Sequence, residues 1–223
     1  MGSRRPCPVR RAGRRPAGRE SCRSLELGQH PARDLISRGC AARRHRGRRP
    51  DPAALDGAPD DWRGIYGALQ LHAAVTVARE GRDGDAWRYW DRGDQVAKNL
   101  PANYVHPSTV FGRANVDFHA VSVATDLQRA QKALGLAADL DPDTMPSRER
   151  RARLWVEVAR GHLQRGDTTA ALHVMQMAHR IGAEAVAYTP SARTVAAELW
   201  RGAPRSMRQE AGRLAEMVGV STG

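Results

Sequence analysis

The stretch SRERRARLWVEVARGHLQRG (Ser147–Gly166), followed directly by DTTAALHVMQMA (Asp167–Ala178), decides the fold class. In its first half Leu154, Trp155, Val158, Ala159 and Leu163 recur at intervals of three and four, so they share one face of a helix. Ser147 is a residue type that caps helix N-termini, and Glu149 suits the positive end of the helix dipole. Gly166 supplies the stop, and Asp167 caps a second helix in which Ala171, Leu172, Met175 and Ala178 again recur at three and four. Two helices joined by so brief a turn run antiparallel. The unit is a helical hairpin.

Working outward, the same pattern returns. Upstream, Gly64 to Glu80 carries Ile65, Leu69, Ala73 and Val77, then the turn Gly81-Arg82-Asp83-Gly84, then a helix with Ala86, Trp87, Trp90 and Val96. A middle hairpin runs from about Phe111 to Leu140, breaking near Asp126 and continuing through Ala130, Leu134 and Ala137. A last pair, about 191–201 and 205–217, caps the stack. The second helices superimpose as Ala86-x3-Trp90, Ala130-x3-Leu134-x2-Ala137 and Ala171-x3-Met175-x2-Ala178. This resembles the tetratricopeptide (TPR) pattern, in which small alanines let paired helices approach closely. Trp155-x2-Val158-Ala159-x2-His162 matches the first-helix part, and Pro142 falls where the closing proline belongs. The repeats exceed the ideal ~34 residues, with the excess in loops near 99–110 and 140–147, and Asp117 stands where an apolar residue is expected. The expected fold is therefore all-α over residues 62–220: a TPR-like array of antiparallel helical hairpins, an α-solenoid.

Charge separates this array from what precedes it. The 223 residues carry a formal net charge of +12, and the first fifty alone hold 15 Arg, no Lys and three acids. Beyond them 21 basic residues balance 21 acidic ones. All eleven aromatic residues lie from Trp62 onward. A segment so charged and so poor in large apolar groups cannot offset its ordering entropy, so residues 1–58 are expected to be disordered. Cys7, Cys22 and Cys40 fall in this segment without C-x-x-C spacing or a secretory signal, which argues against a disulfide framework and against zinc. No stretch approaches membrane-spanning length, and a cytoplasmic location is the default. The clusters Arg14-Arg15, Arg43-Arg44 and Arg48-Arg49 suit only salt-sensitive, sequence-independent phosphate contact, or no function at all.

Several longer motifs carry a more specific resemblance. Phe111-Gly112-x2-Asn115-Val116-x2-His119, Ser147-x-Glu149-Arg150-Arg151-Ala152-Arg153-Leu154, Gln164-Arg165-Gly166-Asp167-x3-Ala171-Leu172 and Leu214-Ala215-x2-Val218-Gly219-Val220 follow one another in order. In that order they resemble the C-terminal, TPR-like sensor region of XRE-type helix-turn-helix transcriptional regulators, over roughly residues 62–220. The resemblance implies a sensor and dimerisation region, with a homodimer as one partner. It also implies an N-terminal DNA-binding domain, and here the chain departs. Residues 1–60 lack the apolar periodicity that a helix-turn-helix requires. DNA is expected as a partner only if such a domain is present, or through the Arg-rich arm.

If the hairpins stack as TPRs do, the first helices line the concave face. Asn115, His119 and Ser122 then form one stripe available to a ligand's backbone, flanked by Arg153 and Arg160, which could receive a carboxylate. The competing reading has Asn115 and His119 satisfying each other or buried backbone, with the arginines paired to Glu149 and Glu157. Trp87 and Trp90 read as core. His173 and His179 do not share a helical face, and no H-E-x-x-H, G-x-S-x-G or phosphate-cradling glycine loop is present. No enzyme, cofactor or metal is expected. The readings left open are a regulator's sensor region binding a peptide, protein or small effector, a free-standing protein-interaction adaptor, and a nucleic-acid binder acting through the arm.

Overall fold

Helix α1 (Asp60–Arg79) and helix α2 (Asp83–Lys98) are the first elements of a computed structural model that describes Leu55 and residues 57–222. The rest are α3 (Arg113–Asp126), α4 (Ala130–Ala138), α5 (Arg148–Gln164), α6 (Thr168–Ile181), α7 (Ala183–Ala187), α8 (Pro190–Gly202) and α9 (Arg208–Met217). A 3-10 turn, Pro142–Thr144, lies ahead of α5. Among the described residues there is no strand, so the domain is all-α, and no helix is long and apolar enough to cross a membrane. The Arg-rich segment 1–58 lies outside the described residues but for Leu55, Gly57 and Ala58.

The stops and caps are those of the deciding stretch. Ser147 Oγ accepts the Arg150 amide at 3.2 Å and Asp167 Oδ1 accepts the Ala170 amide at 2.9 Å. Between them Gly166 takes φ +77°, a left-handed conformation that a residue with Cβ adopts only with strain. Helices α1 and α2, α3 and α4, and α5 and α6 each pack against their sequence neighbour. The first helices also pack in a row, α1 on α3, α3 on α5 and α5 on α8, while α2 reaches α3, α4 reaches α5 and α6 reaches α8.

The centre of this row is α3. From Asn115 to Thr125 it is buried nearly all round, polar and apolar residues alike, as befits a helix surrounded by protein. Val116, Val121, Val123 and Ala124 are fully closed to solvent. The exception, Asp117, is only partly covered and holds Arg113, whose guanidinium also bonds Asp94 at 2.5 Å. That ion pair explains an acid at an expected apolar position. Where α1 meets the segment before α3, Gly67 lets the Phe111 ring lie against the helix backbone: a Cβ there would fall 2.2 Å from Cζ. The Trp90 indole N–H donates to the Val116 carbonyl at 2.9 Å, tying α2 to α3, and the Trp87 and Trp90 rings pack edge to face.

Two details differ from the sequence expectation. In α4 the buried small residue is Ala133, 1% exposed, whereas Ala130 begins the helix and is partly open. Ala133 occupies the fourth helical position, as Ala86 does in α2 and Ala171 in α6, so the alanine register is Ala86, Ala133, Ala171. The turn fixes this register: Gln128 takes a left-handed φ of 59° at the place where Gly81 and Gly166 take 73° and 77°, each five residues ahead of its buried alanine. The second difference is α7, a short extra helix between Gly182 and Thr189, packed on α5 and α6.

Candidate functional site

Asn115, His119 and Ser122 lie on one stripe of α3 and are brought together, each nearly closed to solvent at 5, 6 and 6% exposure. They are not spare hydrogen-bonding groups in equal measure. The His119 Nδ1–H donates to the Asn115 carbonyl one turn back at 2.7 Å, and Ser122 Oγ donates to the Phe118 carbonyl at 3.4 Å. Asn115 Oδ1 is buried without a partner. Asn115 also lines a cleft of about 480 Å³ shared with Tyr104, Arg113, Asp117, Asp139 and Asp141.

Two neighbours absent from the sequence-derived set complete the site. The His72 ring of α1 stands 6.1 Å from that of His119, edge to face. Arg150, in the first turn of α5, is half-buried with no carboxylate within ion-pair distance among the described residues. Among the described residues its guanidinium makes one hydrogen bond, a long donation to the Thr109 carbonyl at 3.5 Å. Burial, and then the neighbouring charge of Arg153, lower the pKa of Arg150 from its ordinary value, with Glu149 opposing weakly. Burial pushes His119 down to about 4, against the hydrogen bond to Asn115 and with the positive charge of Arg150 adding to the effect. His72 is lowered for the same two reasons, desolvation first and Arg150 second. Both imidazoles are therefore neutral at pH 7, and Arg150 is the local charge.

The two arginines predicted to flank the stripe behave differently. Arg153 bonds Glu149 at 2.8 Å, one turn back on α5, and its Nε is buried without an acceptor. Arg160 lies two turns further along. Its guanidinium is held by Asp126 at 2.7 Å and Glu157 at 2.5 Å, and Asp126 also takes Arg79 of α1 at 3.1 Å. Those contacts occupy Arg160 in tying α3 to α5, so it is less available to a ligand than Arg150 is.

On the His72 side, α1 presents an apolar stripe to solvent. Trp62 is 66%, Ile65 38% and Leu69 60% exposed, and with His72 they follow the three-and-four spacing of one helical face. Exposed large apolar groups in a row, rather than singly, mark interaction surfaces. The face thus combines an apolar edge on α1, a nearly closed polar stripe on α3 and an uncompensated cation on α5. Among the described residues no group of three His, Cys, Asp or Glu is placed to hold a metal. Comparison with protein-family models, curated proteins and solved structures finds no match to this chain.

Proposed function

We propose that the row α1, α3 and α5 is the ligand face of a TPR-like sensor or interaction region of the XRE-regulator kind, working in the cytoplasm. Its ligand is a peptide, protein segment or small effector that carries a carboxylate. The observation that carries this reading is Arg150, a half-buried cation left without an acid beside Asn115 and His119. Desolvating a charge without compensation is costly, so such a group is retained where something anionic arrives to meet it. A carboxylate bound to Arg150 gains charge-assisted hydrogen bonds, and the exposed Trp62, Ile65 and Leu69 offer apolar surface to the remainder of the ligand. The packing of first helices in a row, with each second helix bridging to the next hairpin, supports the solenoid part of the reading.

The test uses a pool of pentapeptides randomised without Asp or Glu, prepared once with free C-terminal carboxylates and once as C-terminal amides, so that the terminus is the one carboxylate that differs. Histidine ring resonances of His72 and His119 are followed by NMR. The free-acid pool shifts them and the amidated pool does not; Arg150→Gln abolishes the difference. Equal effects of both pools, or none from either, would refute the carboxylate reading.

A further inference from the structure

On the opposite side of α5 from Arg150 lies a second cationic site that owes nothing to the ligand face. Arg148, Arg151 and Trp155 follow one helical stripe, and with Arg180 and Met177 of α6 they line a cavity of about 450 Å³. Arg148 Nε donates to the Ile181 carbonyl at 3.1 Å, and the rest of its guanidinium has no hydrogen-bond partner among the described residues. Arg151 reaches Asp143 at 3.0 Å, and its Nε is buried without an acceptor. Neither Arg148 nor Arg180 has an acidic partner among the described residues, and the one carboxylate lining the cavity is Asp143. Three guanidiniums against one carboxylate leave two positive charges around one cavity. Two of the three occupy the first turn of α5, where the helix dipole already disfavours cations. The local sequence therefore works against stability at this point, and an arriving anion would offset it.

The geometry points to Arg148, Arg151 and Arg180 as a binding site for a small phosphomonoester whose apolar or aromatic portion lies against Trp155 and Met177. Phosphate is preferred to carboxylate on two grounds. A phosphomonoester carries close to two negative charges at neutral pH, matching the excess in the cavity, and its three terminal oxygens can meet more than one guanidinium fork. A monocarboxylate satisfies a single fork and leaves one charge over. Trp155 and Met177, both partly buried, supply a wall for the organic part.

Isothermal titration with phenyl phosphate on the full chain tests this, with benzoate and inorganic phosphate as comparators. Phenyl phosphate binds the wild type more tightly than either. Arg151→Gln and Arg180→Gln each weaken it by about tenfold or more, the scale of losing one hydrogen bond to a charged group. Arg180 is exposed, so its replacement keeps the fold, and an unchanged circular-dichroism melt verifies this. Affinity also falls between pH 7.5 and pH 5 as the phosphomonoester dianion takes up a proton near pH 6 and becomes a monoanion. Equal affinity for benzoate, or binding untouched by both substitutions, would overturn the proposal. So would tighter binding of a single-stranded oligonucleotide than of phenyl phosphate, which would assign the arginines to a diester backbone instead.

Discussion

His119 makes the stability of this domain depend on pH in a direction and over a range set by its surroundings. In the unfolded chain the imidazole titrates near 6.5, whereas the folded environment holds it at about 4, chiefly by burial. Between those values the unfolded state binds a proton that the folded state refuses. Stability is therefore greatest above pH 6.5, falls as pH drops from 6.5 to 4, and loses no more to this residue below 4. The gap from 6.5 to about 4, at about 1.4 kcal/mol per pH unit, amounts to about 3 kcal/mol. That is a large part of a typical domain's stability. His119→Leu keeps the side chain's bulk and removes its titration. Urea unfolding of both proteins, at half-unit steps from pH 7.5 to 4, isolates the term by subtraction. Glu157, which burial raises above its ordinary value despite Arg160, pulls the other way in both proteins and cancels. The wild type loses about 3 kcal/mol relative to His119→Leu over that range. Parallel pH profiles would refute the reasoning.

Three further outcomes follow from the packing and charges. Arg150→Gln removes a half-buried cation that has no ion-pair partner among the described residues, so urea unfolding at pH 7 shows no loss of stability, while NMR titration finds the His72 pKa raised. Asp126→Ala strips the shared partner from Arg79 and Arg160, whose side chains reach an oxygen pair only 4% exposed, and costs about 3 kcal/mol by urea titration. Gly67→Ala drives a methyl into the Phe111 ring and costs about 2 kcal/mol, whereas Gly135→Ala, where a Cβ meets nothing within 4 Å, stabilises α4 by about 1 kcal/mol; paired thermal melts show opposite signs.

The paired helices were legible because their punctuation is local. Ser147, Gly166 and Asp167 act through the backbone within three residues of themselves, so a linear reading finds them. Helix α7 escaped because five residues cannot display a period of 3.6; its only announcement is the run from Gly182 to Pro190, the latter at the first position of α8. The alanine register slipped in α4 because spacings of three and four satisfy both Ala130 and Ala133, and only the packing separates them. At the proposed ligand face, Asn115, His119 and Ser122 could be found from their common stripe. Arg150 could not be singled out from the run Arg148 to Arg153, because having no partner is a tertiary property. Glu149 stands next to it in sequence but about a quarter-turn away on the helix, and pairs with Arg153 instead. His72 did leave a trace, since it continues the stripe of Trp62, Ile65 and Leu69, but apolar residues at helical spacing, Ile65 and Leu69 among them, ordinarily face a core, and only the fold shows them exposed.

The proposed ligand face depends most on Arg150 being the group that a carboxylate meets. Histidine-detected NMR with the free-acid and amidated pentapeptide pools, on wild type and Arg150→Gln, measures that directly. The expected result is a shift of the His72 and His119 resonances with free acids alone, lost in the variant. Shifts of the same size with amidated peptides, or shifts that persist without the Arg150 guanidinium, would contradict it.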